Sequence, residues 1–485
     1  MRLYEETLRA DQERERVATA IEEVRSSLKG TFHGDLLGPT DPAYADARVI
    51  WNGMVARSPG LIARCADVAD VQAAVRAGAT NGVLAALRCG GHSLAGFSTC
   101  DGGLVIDLSK MRHVTVDPTA RRARFEGGCL LGTIDTATQN YGLAFPAGVV
   151  SHTGASGLIL GGGFGWLTRL HGLSCDNVES FTLVTADGTV VRADANENSD
   201  LSWALRGGGG NFGVVTEFEV RLHPVTSVVL GEAYYREPDI PRFLRSWRDS
   251  LPEVPDNLRW SVSLRLAPQT ENVPLEIRGR PVASVAAVWA GDSEKGLRYL
   301  DHILSIGSPV GVTSRVMSYL ALQTIADHEF PPGRRYYTKS GYFKTLDDNS
   351  IDRMASSLVD IPSPDTQIEL AYLGGATTHM AAGDTAFGDR NSPFVTNLLG
   401  NWADCSGDAS NIAWVRSLFS ELRPAMTPGV YINFMSSDED DRVPEAYRDR
   451  WERLIGVKSR YDPNNFFRLN QNIPVRKGGS GAEGR

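Results

Sequence analysis

The chain has 485 residues, 42% of them apolar and 22% charged, with a net charge of -9 and a pI near 5.6. This length is too great for one core, so two domains are the default, and the composition is that of a soluble globular protein. The acidic balance argues against nucleic acid or an anionic membrane as partner.

No run approaches the roughly 18 apolar residues that a membrane-spanning helix needs. The N-terminal stretch MRLYEETLRADQERERVATAIEEV is charged throughout and has no apolar core of a secretory signal. Six scattered cysteines at 65, 89, 100, 129, 175 and 405 form no CxxC pair, which suits a reducing compartment, and a cytoplasmic protein is expected. No HExxH occurs and the nine histidines are dispersed, so no metal site is expected.

Residues 1–30 read as one helix closed by Gly30. Short α/β units follow: a strand at 61–64, then an amphipathic helix at 67–82 with Val68, Val71, Val75 and Ala79 on one face. Next come a strand at 83–88 and another at 103–108. Hairpins then take over, at 113–126 and at 181–193, the second with Asp187-Gly188 as a two-residue turn. A strand at 212–222 closes this region. The pattern is α+β, a small α/β lobe followed by a more antiparallel lobe. Residues 226–430 lose the glycine clusters, gain aromatics, and carry strands at 259–264 and 282–289; they read as a second domain capping a pocket. A dense motif, YDPNNFFRLNQNIP, occupies 461–474, and residues 476–485 read as a polar, disordered tail.

The most informative stretch is RCGGHSLAG at 88–96, a loop at the end of an apolar strand. Gly90, Gly91 and Gly96 let the backbone approach a ligand closely, and successive N–H groups in such a loop form an anion site suited to a pyrophosphate. His92 sits at its centre. A second glycine cluster is TGASGLILGGGFG at 153–165 and a third is RGGGGNFGVVT at 206–216. The third contains GxGxxG, but a helix precedes it and a strand follows, the reverse of a dinucleotide-binding Rossmann turn. Tight packing turns explain one such cluster easily and three together poorly. Three imply an extended ligand held by backbone over much of its length.

Taken in order, RCGGHSLAGFSTCDGGLVIDLS, GASGLILGGGFGWLTRLHGLSCDNVESFTLVTADG, DLSWALRGGGGNFGVVT and YDPNNFFRLNQNI resemble the berberine-bridge-enzyme group of FAD-linked oxidases. The resemblance covers residues 40–225 and 430–475 well and the middle loosely. It implies an α+β fold: a two-lobed PCMH-type FAD-binding domain at 31–225 and an α+β substrate-binding cap with an antiparallel sheet at 226–430. A segment at 431–475 would return to the FAD domain. It further implies FAD bound covalently through an 8α-histidyl link to His92. Arg88 would be a cofactor-binding residue, and the backbone of Gly90, Gly91, Ser93 and Leu94 would hold the pyrophosphate. Gly154, Gly157, Gly161, Gly162 and Gly163 would line the flavin and ribityl chain, Val215 the adenine side, and Asn470 and Asn472 the flavin ring.

Two departures from the family pattern matter. Doubly linked members place a thioether cysteine where this chain has Val150, so a single link is expected; Cys129 and Cys175 read as small core residues. Plant-type members place a tyrosine where this chain has Phe434, which removes that phenol as a base. Glu369, alternating with apolar neighbours in QIELAYLGG, is then the candidate base, with Tyr372, Tyr337 and Tyr431 as further candidates. The competing reading of Glu369 is a solvent-side residue or a salt bridge to Arg335 or Lys339. His152 and His171 lie in the flavin motifs and read as hydrogen-bonded.

The function implied is an FAD-dependent oxidase acting on a small organic or natural-product substrate, with molecular oxygen as acceptor. Alternatives are an oxygenase that tailors a polyketide in secondary metabolism, a dehydrogenase with another acceptor, and a non-redox flavin-binding protein. A monomer or homodimer is expected, without nucleic acid or membrane partners.

Overall fold

A computed structural model describes residues 2–381 and 383–476, with side chains from residue 12 onward. Nine of the ten tail residues, 477–485, lie outside the described part. The opening helix is Arg2–Leu28, and Gly30 follows at a positive φ of 90°, as a C-terminal cap requires.

The first lobe is a four-stranded sheet in the spatial order Asp35–Leu37, Leu61–Arg64, Leu104–Asp107, Ala85–Arg88, the last three parallel. Helix Val68–Thr80 crosses between Leu61–Arg64 and Ala85–Arg88 and packs Val71, Ala74 and Val75 into the core. Its N-terminus is fixed by Asp67, whose carboxylate accepts the Asp70 N–H at 3.0 Å. Asp70 in turn accepts backbone N–H groups of His33, Gly34 and Ala66, which ties the preceding loop to the helix.

The second lobe is a five-stranded antiparallel sheet ordered Val114–Asp117, Arg122–Glu126, Val214–Arg221, Val178–Val184, Val190–Ala193. The hairpin joining its last two strands corrects the two-residue turn expected at Asp187-Gly188. Thr185 N–H bonds Thr189 C=O at 3.0 Å, so three residues make the loop, and only Gly188 takes positive φ, at 77°. Asp187 instead accepts from Thr185, and from the backbone and hydroxyl of Thr189. Its side chain does the work that a left-handed backbone would have done.

The cap is a seven-stranded antiparallel sheet ordered Val310–Ser318, Ser227–Arg236, Pro281–Ala290, Leu258–Leu266, Gln367–Tyr372, Phe394–Trp402, Arg335–Phe343. Strict alternation gives it two faces. Trp260, Val262, Leu264, Ile368, Leu370 and Leu398 pack against helices Ile240–Ser250, Ser293–Leu304, Asp348–Ser356 and Asp408–Leu422. The alternate residues, among them Ser261, Ser263, Arg265, Gln367, Glu369 and Asn397, face the first two lobes across a cavity. The polar-facing side is the sequence signature of a roof rather than a buried sheet.

The C-terminal segment is stapled to the third glycine cluster by a fully buried ion pair. Lys458 Nζ lies 2.6 Å from Asp462 and also donates to Asn211 C=O and Phe467 C=O, while Asp462 accepts the N–H groups of Phe466 and Phe467. Breaking a buried pair strands the remaining charge and costs about 3–5 kcal/mol. The exposed pair Arg460–Asp200 is worth about 0–1 kcal/mol. Lys458→Met is therefore expected to lower the denaturant midpoint far more than Asp200→Ala, as equilibrium unfolding would measure; equal losses would show that the staple adds little. Among the described residues no helix is long and apolar enough to cross a membrane.

Candidate active site

A cavity of about 720 Å³ lies between the two lobes and the cap sheet. Its floor is built from the three glycine clusters, brought together backbone against backbone. A Cβ on Gly90 would sit 2.4 Å from Gly154 N, and one on Gly154 would sit 2.3 Å from Gly90 N, so neither position tolerates a side chain. Gly91 has a φ of 72°. Leu160 C=O accepts the N–H groups of both Gly207 and Gly209, at 3.0 and 2.9 Å, which joins the second cluster to the third.

His92 lies in the wall of this cavity, and the surface it keeps faces the cavity. Its Nε2 is 2.8 Å from His152 Nδ1, and its ring stacks on Trp51 at 4.7 Å, which stacks on Tyr336 at 3.7 Å. Burial, and then the neighbouring His152, push the His92 pKa down to about 3, so the ring is neutral at neutral pH. The loop is held from below by Arg88, whose guanidinium pairs with buried Asp107 at 3.0 Å. Asn52 clamps it from the side by donating to Leu94 C=O and Tyr336 C=O.

On the roof, Glu369 sits in a cross-strand row with Ser263 on one side and Asn397 on the other. Asn397 Nδ2 donates to its carboxylate at 2.8 Å and Gln367 Nε2 at 3.2 Å. Burial pushes its pKa up, opposed by the Asn397 hydrogen bond. Neither cation suggested by sequence reaches it: Arg335 pairs with Asp408, and Lys339 with Asp438 and Glu439. Tyr431 also borders the cavity. Its hydroxyl accepts from Gly163 N–H at 3.1 Å and Asn433 Nδ2 at 2.9 Å, and burial raises its pKa.

Of the remaining sequence candidates, Arg88, Gly90, Gly91, Ser93, Leu94, Gly154, Gly157, Val215 and Asn470 line the cavity. Others do not, and their places differ from those expected. Tyr372 shares the parity of Ile368 and Leu370, so it turns to the helix side, against Phe394 and under Arg169. Tyr337 also lies on that side, donating to Asp438. Gly161, Gly162 and Gly163 stand behind the wall; a Cβ on them would strike Asn433, Phe387 and Ser174, so they are glycine for packing. Asn472 falls outside the lining as well, and Gln471 takes its place there, donating to Ile432 C=O. His171 stacks on His223 at 3.7 Å, away from the cavity.

The sequence reading passed over Trp51, Arg259, Arg265, Asn397 and Cys89, all in the lining. The alternation in LRWSVSLRL was a usable signal for Arg259 and Arg265. Trp51 and Tyr336 meet His92 only through the fold. Cys89 donates to Cys129 C=O at 3.3 Å, and burial raises its thiol pKa to about 11.

The lining fits FAD. Gly157 and Gly210 present open space where a Cβ would project, a cradle for a large ligand laid on backbone. Among the described residues Asn470 Oδ1 is buried without a partner, while its Nδ2 is spent on Phe467 C=O and Gly210 C=O. Residues 59–194 match the family described as FAD binding domain, and residues 430–474 the one described as berberine and berberine like. An FAD-linked oxidoreductase of Dictyostelium discoideum is 33% identical over 427 residues, covering 87% of this chain and 90% of its own. The chain belongs to the berberine-bridge-like FAD-linked oxidoreductases. Within this family, (R)-6-hydroxynicotine oxidase of Paenarthrobacter nicotinovorans is 30% identical, over 91% of this chain and 97% of its own. A crystal structure of 6-hydroxy-D-nicotine oxidase from Arthrobacter nicotinovorans superposes with a TM-score of 0.80 at 29% identity, covering 92% of this chain and 98% of that one. A berberine-bridge-like protein of Physcomitrella patens reaches 0.84 at 24% identity over 94% of this chain and 99% of its own, which shows the shared α+β fold. The protein is an FAD-binding oxidoreductase.

Proposed function

We propose that the protein carries FAD on a single bond to His92 and oxidises a small organic substrate, with molecular oxygen as the electron acceptor. The observation that carries this reading is one cavity bounded both by a glycine-rich floor with a neutral histidine and by a polar roof with a half-buried carboxylate.

His92 would supply Nδ1 to the bond, since Nε2 is engaged by His152. Val150 lines the same cavity and offers no thiol, which supports one link instead of two. Gly90, Gly91, Ser93, Leu94, Gly154, Gly157 and Val215 would hold the cofactor with backbone, and Asn470 with its free Oδ1. Bound FAD supplies the two-electron acceptor that side chains lack. Glu369 takes the proton that the substrate loses. Its raised pKa makes it a stronger base once ionised, and Asn397 and Gln367 fix its direction. Tyr431, its hydroxyl oxygen held by two donors and its proton free to donate, positions substrate and takes no proton itself. Trp51 stacks on His92, with Tyr336 stacked behind it, and leaves the ring little freedom.

The relatives named for nicotine-type amines and for oligosaccharides differ too much in substrate to transfer one. The test is therefore a screen of oxygen consumption over aromatic polyketides, alcohols, sugars and cyclic amines. Purified protein should be yellow, and the class that consumes oxygen should also bleach it under anaerobic conditions. Colourless protein, or yellow protein bleached by no class, would contradict the reading.

A further inference from the structure

Four arginines line the cavity, Arg88, Arg259, Arg265 and Arg315. Three of them have a carboxylate: Arg88 pairs with Asp107, Arg265 with Glu329, and Arg315 with Glu232. Arg259 has none among the described residues. Its one hydrogen bond runs from Nη1 to Gly165 C=O, Nε is buried without a partner, and Nη2 is unused. The guanidinium lies beside two aromatic rings, Phe164 at 5.8 Å and Trp166 at 5.5 Å. An arginine fork is a strongly oriented donor set, and leaving its buried Nε unmatched is costly.

The carboxylate that acts on Arg259 is Glu369, on the adjacent strand and the same face of the sheet. Among the described residues the two form no ion pair, and both line the same cavity. Glu369 is held by hydrogen bonds from Asn397 and Gln367.

We infer that Arg259 is the substrate's oxyanion site, and that the substrate is a planar aromatic or enolic compound with an acidic hydroxyl. This rests on the oxidase reading above. The hydroxyl O–H bond breaks, its proton goes to Glu369, and the negative charge left on oxygen is held by the free edge of Arg259. The ring or enol plane lies against Phe164 and Trp166. A C–H bond of the substrate must break as well, and its hydride, carrying both electrons, would pass to the FAD already invoked, so no further reactant is needed.

The test is calorimetric titration of the flavin-loaded protein with para-nitrophenolate against neutral nitrobenzene, and with benzoate against benzamide. Charge-assisted hydrogen bonds to a buried guanidinium correspond to about a tenfold to hundredfold gain in affinity. Wild-type protein is expected to prefer para-nitrophenolate over nitrobenzene by that factor. Arg259→Met should remove the preference while leaving nitrobenzene binding unchanged, and Arg259→Lys should keep part of it. Equal wild-type affinities for the phenolate and its neutral analogue would overturn the proposal, with no variant required. So would a preference that survives in Arg259→Met. A preference for benzoate over benzamide without one for para-nitrophenolate over nitrobenzene would overturn the phenolic and enolic class. Failure of the flavin reading shows separately, as colourless protein, and calorimetry does not depend on that colour.

Discussion

His92→Ala is expected to release all of the flavin into the supernatant when the protein is precipitated with acid, whereas wild-type protein should keep its flavin in the pellet. Cofactor held only by backbone and hydrogen bonds is lost when the fold is lost, and a covalent bond is not. The variant should still purify with some flavin, because the close contact of Gly90 with Gly154 and the open cradle at Gly157 and Gly210 do not depend on the histidine ring. Fluorescence of pellet and supernatant reads the result. Acid-stable flavin in the variant would place the bond elsewhere.

Glu369→Gln is expected to slow turnover by about a hundredfold to ten-thousandfold, the usual contribution of a general base, with flavin content unchanged. Glutamine keeps the volume and can still accept from Asn397, so the roof should stay intact. The pH dependence separates a base from a merely structural residue. A carboxyl that is protonated cannot accept a proton, so kcat/KM should rise with pH through the Glu369 pKa. Burial raises that pKa above the ordinary glutamate value, so the rising limb should lie above that value too. In Glu369→Gln this limb should vanish. A near-normal rate, or an unchanged limb, would remove Glu369 from the reaction; loss of flavin in the variant would make it structural.

Much of the floor was legible in the sequence because its chemistry is local. The RCGGHS loop follows its strand directly, and Gly90, Gly91 and His92 fall where a loop at a strand end must put them. The reversed order around Gly208 to Gly213 was equally readable: helix Ser199–Leu205 precedes it and strand Val214–Arg221 follows. Alternation in a strand also gave the face of Glu369, and it could have given the face of Tyr372, three residues on and so on the opposite side. Its phenol suggests a base only when that parity is set aside. Gly161, Gly162 and Gly163 carry a different ambiguity. A glycine required by Asn433, Phe387 or Ser174 packing against it looks the same in sequence as one required by a ligand. The stack of Trp51 on His92 and Tyr336, and the unmatched edge of Arg259, depend on contacts between residues far apart in the chain, which no local pattern encodes.

The central claim, one flavin on one histidine in this cavity, is tested most directly by peptide mapping of the denatured wild-type protein, with fragment spectra to locate the modification. Fragmentation is needed because Cys89 and His92 fall on the same tryptic peptide. The account predicts flavin on His92 alone, with Cys89, Cys129 and Cys175 unmodified. Flavin on any of those cysteines, or a map without a flavin-bearing peptide, would contradict it.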